Sequence, residues 1–139
     1  MKKITVALVI DDNGGMLLFG KRQSRDRILI EEFVNSMRGK KIYISSFSRL
    51  IFEPHENITV CENPISECES GDVCFIENID IAPYLDVINT LIVYHWNRLY
   101  PSDVKFNVDI EKSGYKLDSS LEFAGSSHEK ITKEIYTKE

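Results

Sequence analysis

Asn89-Thr90-Leu91-Ile92-Val93-Tyr94-His95-Trp96, with Asp103-Val104-Lys105-Phe106 shortly beyond it, decides how the rest of the chain is read. An apolar run of strand length leads into a polar loop and then into another strand. Nearly continuous apolar runs suit strands covered on both faces, where neither side meets water. Ile4 to Ile10 has the same character and predicts a first strand that is central in its sheet.

Outward from these runs, Asp11-Asp12-Asn13-Gly14-Gly15 breaks the chain, because Asn and Gly tolerate positive φ and Asp bonds its own following backbone. Met16-Leu17-Leu18-Phe19 then precedes a charged stretch, Lys21-Arg22-Gln23-Ser24-Arg25-Asp26-Arg27. Leu29, Ile30, Phe33, Val34 and Met37 follow at spacings of three and four, which predicts an amphipathic helix with Ser24 as its cap and Gly39 at its end. Further strands are expected at Lys41–Ser45, Ile58–Cys61, Asp72–Ile76 and Val87–His95, with a short helix near Ile81–Asp86. This is an α/β pattern with a parallel core.

Beyond Lys105 the period changes. Lys116 to Phe123 alternates, with Leu117, Leu121 and Phe123 on one side and Lys116, Asp118, Ser120 and Glu122 on the other. That predicts an antiparallel strand with one wet face. Gly125-Ser126-Ser127 supplies a turn before Glu129–Tyr136, so a β-hairpin is expected to close the sheet. No repeat, low-complexity tract or linker interrupts the chain, and residues 1–139 are expected to form one domain.

Composition restricts the function classes. With 42% hydrophobic and 28% charged residues over 139 positions, the chain has a globular composition. A net charge of -5 opposes a phosphate backbone and argues against nucleic acid as partner. No segment approaches the roughly 20 apolar residues that span a bilayer, which argues against a membrane partner. The start, Met1 to Ile10, lacks the features of a signal peptide and reads as a strand of a cytoplasmic protein. Cys61, Cys68 and Cys74 are odd in number and fit neither a disulfide framework nor a paired zinc knuckle, so free thiols are expected.

The element order, the final hairpin, the Leu91–His95 strand and the Asp103-x-x-Phe106 step resemble the dihydrofolate reductase family across essentially the whole chain. The resemblance implies an α/β fold with a mostly parallel central sheet, flanking short helices and a C-terminal antiparallel hairpin. It also implies where chemistry would be sought. In that family the first helix carries an acid, a Leu, two variable positions and a Phe; with Phe33 on the Phe, Leu29 takes the acid's place. Glu31 and Glu32 are close by, but successive helix positions rotate by about 100 degrees, so neither points where Leu29 points. Ser45-Ser46-Phe47-Ser48 falls on the family's Gly-Arg-x-Thr phosphate grip, and Glu77-Asn78 on the Gly-Gly pair beside the pyrophosphate. Tyr94 falls where a small hydroxyl residue lines the pterin pocket, which its ring would partly fill.

A narrower resemblance links Arg22-Gln23-Ser24-x-Asp26-Arg27, Trp96-Asn97-Arg98-x-Tyr100-Pro101 and Gly125-Ser126-Ser127-His128-Glu129-Lys130-Ile131-Thr132 to small bacterial proteins that carry a ribonuclease Z label. That label implies a dinuclear zinc site on His-x-His-x-Asp-His. His55, His95 and His128 are isolated in the chain and supply no such motif, so no metal site is expected.

These readings lead to a catalytically degenerate member of the fold that binds a small molecule or protein partner through the former active-site face, with no cofactor and no catalytic residue. The alternative is an NADPH-dependent reductase of dihydrofolate or a related heterocycle, with Asp26 or Glu32 as substitute acid; an interaction module held by its edge strand or by Trp96 is a third. The candidate binding residues are Lys21, Arg22, Arg25, Arg27, Trp96, Asn97, Arg98 and His128. The cations suit a carboxylate or phosphate, or form a solvated loop in which Asp26 pairs with an arginine. Trp96 reads both as a platform for a planar ligand and as a cover on the core. His128 beside Glu129 reads both as an acid–base group and as part of an outward turn.

Overall fold

The computed structural model describes residues 2–138. β1 (Ile4–Ile10) lies at the centre of a seven-stranded sheet whose order is β5-β4-β6-β1-β7-β10-β9. Here β4 is Ile42–Ile44, β5 Ile58–Val60, β6 Val73–Phe75, β7 Ile88–His95, β9 Tyr115–Phe123 and β10 Ile131–Lys138. β1 pairs in parallel with β6 and β7, β4 in parallel with β5 and β6, and β10 runs antiparallel to both β7 and β9.

The unbroken apolar character of β1 has the expected cause. Ile4, Val6, Leu8 and Ile10 face one core with Ile65, Ile81, Ile88 and Tyr115, whereas Ala7 faces a second core with Phe33, Phe75 and Tyr94. The second core is aromatic: Phe33 lies 5.3 Å from Phe75 and packs edge-on to Phe52 and Tyr94. Helix α1 (Arg27–Ser36) buries Leu29 and Phe33 against this face.

Several expectations are corrected. Asp26, not Ser24, caps α1, its carboxylate accepting the amides of Ile28 and Leu29, and the helix stops at Ser36 before Gly39 at φ 87°. β1 has its expected bounds, the strands expected at Lys41–Ser45, Ile58–Cys61, Asp72–Ile76 and Val87–His95 are each shorter by one or two residues, the last strand is shifted to Ile131–Lys138, and the Ile81–Asp86 helix is only a 3-10 turn at Ala82–Tyr84. Short elements went unread: α2 (Pro64–Glu67), and β2 (Gly15–Leu18) and β3 (Lys21–Arg22), which join the expected strand after Asp103, β8 (Val104–Lys105), in a second small sheet of order β3-β2-β8. Phe19 and Gly20 turn that hairpin, both at positive φ, which is the geometry that matches strand twist.

β9 departs most from its pattern. Ile135 pairs with Ser119 and the next residue, Tyr136, pairs with Leu117, so Asp118 is an extra residue in a β-bulge. Paired residues share a face and consecutive residues of β10 do not, so Leu117 points to the opposite side from Leu121. Both are nearly half exposed, at 46% and 45%, and the strand is wet on both faces between Lys116 and Glu122. Charges and a bulge on a long free edge oppose pairing with another chain.

Among the described residues no helix is long and apolar enough to cross a membrane. Because the aromatic core rests on Phe33, Phe33→Ala is expected to lower unfolding free energy by about 3–5 kcal/mol, measured by urea denaturation against Ile30→Ala on the half-buried flank of α1.

Candidate functional site

β1, β4, β6 and β7 are parallel, so their C-terminal ends open onto one edge of the sheet, and antiparallel β10 begins at that same edge. Loops at the carboxyl ends of parallel strands form the crevice where α/β sheets place ligands. Topology therefore gathers the Lys21–Arg27 segment, the Trp96–Pro101 loop and the Gly125–Lys130 turn, which are far apart in sequence.

Asp26 is the junction. Oδ1 accepts the amides of Ile28, Leu29 and Ser126 and the Ser126 hydroxyl, at 2.9–3.2 Å. Oδ2 accepts the Ser127 amide at 2.8 Å and faces His128 Nδ1 at 3.0 Å. A carboxylate only accepts, so Nδ1 carries the proton in this pair. Burial by itself would raise the Asp26 pKa; the Ser126 amide, His128 and the Ser127 and Leu29 amides outweigh it and hold the group well below its usual 3.8. The expected pairing of Asp26 with an arginine is not what forms, because these donors fill both oxygens. Gly125 is required here, since a Cβ would stand 2.3 Å from Asp26 Oδ2.

The far nitrogen of His128, Nε2, meets the Tyr100 hydroxyl at 2.7 Å, and the ring stacks on Trp96 at 4.4 Å. Both ring nitrogens and one face of His128 are thus engaged inside the protein. Trp96, only 4% exposed, covers the core and gives a face to His128 rather than to a ligand. Asp11 is a second buried junction: it accepts the amides of Asn13, Gly15 and Tyr100 and the Gln23 side chain. Burial pushes its pKa up and the amides of Gly15, Tyr100 and Asn13 bring it below its usual value.

Arg22 crosses the same edge. Its Nε and Nη2 donate to Glu77 Oε2 and Oε1 at 2.9 and 3.0 Å, Nη2 also reaches the Phe47 carbonyl at 2.7 Å, and the Ser48 hydroxyl donates to Glu77 Oε1 at 2.8 Å. The guanidinium lies over the Phe47 ring. One turn along α1 from Leu29 and on the same face, not turned away from it as expected, Glu32 accepts the Tyr94 hydroxyl at 2.6 Å and Lys133 Nζ at 2.9 Å. Burial, then the neighbouring Glu32, pushes the Tyr94 phenol far up, so it is a proton donor throughout the ordinary pH range.

Of the candidate residues, Arg22, Trp96 and His128 meet around this edge as interior groups. Asn97, at φ 57°, bonds the Lys130 carbonyl and the Thr132 hydroxyl and so fastens one loop to another. Lys21 and Arg98 stand in solvent, and Arg27 pairs with Glu31 at 2.9 Å on an exposed helix face. Arg25 and Arg27 line an open cleft of about 370 Å³ between α1 and the Leu50–Ile58 segment, walled by Ile30, Val34, Leu50 and Phe52 with His55 at its side. This cleft was not anticipated. The only signal for it was the exposed flank of α1 beside an apolar Leu50-Ile51-Phe52 run. Glu77 was expected at the Gly-Gly position and Glu32 as a substitute acid, but the partners that hold them, 55 and 62 residues away, were not, and Tyr100 was given no role of its own. The cysteines are free, and contact with Cys68, then burial, raises the Cys74 thiol well above its usual value. No group of three or more metal-ligating side chains occurs among the described residues.

No family model and no curated protein matches the sequence. Among solved structures, a dihydrofolate reductase from Enterococcus faecalis, determined with NADP(H) and RAB-propyl, superimposes with a TM-score of 0.69 over 97% of this chain and 95% of that one, at 12% identity. The chain has the dihydrofolate reductase fold. At that identity the likeness extends to architecture: the mixed sheet, its short helices and the C-terminal antiparallel hairpin.

The Asp26 junction sets an acid limit on stability. A carboxyl whose folded pKa is depressed stabilises the fold above its unfolded value, near 3.8, and that contribution is lost as pH falls through the folded pKa. Asp26→Asn is expected to lose about 3 kcal/mol at pH 7 and to flatten the fall in melting temperature below pH 4, read by circular dichroism from pH 2 to 7.

Proposed function

We propose that this protein binds a small amphipathic anion in the cleft between α1 and the Leu50–Ile58 segment and does not transfer hydride. The cleft itself carries the reading. Its volume of about 370 Å³ lies within the range of small-molecule sites, its lining combines apolar Ile30, Val34, Leu50 and Phe52 with Asn35, Glu53 and a Glu31 already paired with Arg27, and Arg25 supplies a cation with no ion-pair partner among the described residues. A ligand with an apolar body and a carboxylate matches that division.

The groups that hydride transfer would need support the non-enzymatic half. Leu29, in the position that the family resemblance assigns to the acid, is 1% exposed and packed in the aromatic core. The neighbouring dihydrofolate reductase was solved with NADP(H), which makes that dinucleotide the cofactor to test. The residues present do not fit its phosphates. Ser48 and Arg22, the donors nearest the expected phosphate grip, already hold the Glu77 carboxylate, and a fixed anion there repels another.

One observation favours a second reading. Glu32, held by Tyr94 and Lys133, is an ionisable group beside Leu29 and could supply a proton in place of the missing acid. In that reading the protein reduces a pterin or related heterocycle with NADPH.

Calorimetric titration with indole-3-acetate, dihydrofolate and NADPH, together with absorbance at 340 nm, separates the two. Saturable binding of an aryl carboxylate, weakened at least tenfold by Ile30→Glu and accompanied by no loss of NADPH, is the expected result. NADPH consumption with dihydrofolate that falls more than a hundredfold in Glu32→Gln replaces it with the reductase. No binding by any probe ends the cleft assignment.

A further inference from the structure

The small sheet and the large one do not close on each other completely. Residues 78–81, which follow β6, face residues 104–107, in and after β8, across a cavity of about 260 Å³. Its floor is apolar: Ile81 is buried, and Met16 and Phe106 are half-buried. The Phe106 amide donates to the Gly14 carbonyl at 2.8 Å, which fixes that part of the floor to the turn after β1. The cavity shares no lining residue with the α1 cleft.

Two opposite charges stand at its rim, Asp80 from one wall and Lys105 from the other, and both are exposed. They form no ion pair with each other or with any other side chain among the described residues. Asp80 is nonetheless held in place, because Oδ1 accepts the Ala82 amide at 3.0 Å while Oδ2 stays free. Glu77 also lines the space, but Arg22 already neutralises it. What a ligand meets is therefore one negative and one positive group, close enough to share a cavity and too far apart to satisfy each other. A lone anion is repelled by Asp80 and a lone cation by Lys105, so the rim favours a molecule that carries both charges. Size narrows the class further, since the volume falls below the range of about 300–1,000 Å³ that holds drug-sized ligands.

We infer that this cavity binds a free α-amino acid with an apolar side chain. Its ammonium donates to Asp80 Oδ2, its carboxylate accepts from Lys105 and from the Asn107 amide, and its side chain lies on Met16, Ile81 and Phe106. Both charges of such a ligand sit on one carbon, which leaves the apolar group free to point at the floor while the rim takes the two charge-assisted hydrogen bonds.

Proton–nitrogen spectra of the full chain, titrated with leucine and separately with phenylalanine, test this. Saturable shifts at the amides of Asp80, Lys105 and Phe106 are expected in the millimolar range for at least one of the two. Isocaproate, which is leucine without the ammonium, and isoamylamine, which lacks the carboxylate, are expected to bind about tenfold more weakly or worse, as is the amino acid to Asp80→Asn and to Lys105→Met. Both substitutions are on exposed side chains and leave the melting temperature near that of wild type. Ile30→Glu, in the α1 cleft, leaves the titration unchanged. No saturation by either amino acid, equal binding of either analogue, an unchanged titration in either rim variant, or loss of binding in Ile30→Glu overturns the assignment.

Discussion

A single buried carboxylate joins the parts of this fold that sequence keeps apart. Asp26 opens α1 by accepting its first amides and, with the same two oxygens, gathers Ser126, Ser127 and His128 from a turn about a hundred residues later. His128 extends the junction to Tyr100 and stacks on Trp96 at the end of β7. Helix start, central strand and C-terminal hairpin are therefore in register through one chain of hydrogen bonds. Isolated, that carboxylate would be expensive to bury; saturated with donors, it is strongly ionised and directional.

The same economy runs through the other polar groups of the sheet edge. Asp11 holds the β1 turn to the Tyr100 backbone, Arg22 holds Glu77, and Lys133 and Tyr94 hold Glu32. Each is an internal solution to a buried charge, and each uses side chains that an open active site would turn toward substrate. What remains open is the cleft on the outer side of α1, where apolar residues and Arg25 are not consumed by such pairs. The binding proposed as this protein's function therefore lies on the helix flank, not among these pairs at the strand ends.

Much of the architecture was legible before the structure. β1 and β7 announced themselves because both faces of each are covered, which keeps Val6 to Ile10 and Leu91 to Val93 unbroken apolar runs. Phe33 and its neighbours at spacings of three and four marked α1 for the same reason. The fold class followed from the order of these elements. The failures were local and have physical causes. Ser24 and Asp26 are equally good caps in isolation, and only the arrival of the 125–128 turn selects Asp26. The bulge at Asp118 inverts Leu117 without leaving any trace in an alternating pattern. The candidate residues were chosen by chemical type, and type does not reveal that His128 and Trp96 would be spent on each other.

Hydrophobic periodicity and turn chemistry, which act over a few residues, determined the elements, their order and the parallel centre of the sheet. Pairing between the buried charged and polar groups was decided by tertiary structure. Arg22 lies 55 positions from Glu77, Glu32 lies 62 from Tyr94, and Asp26 lies 102 from His128. Electrostatic partners are set by distance and burial in space, and nothing in the local sequence of either member records where the other will stand.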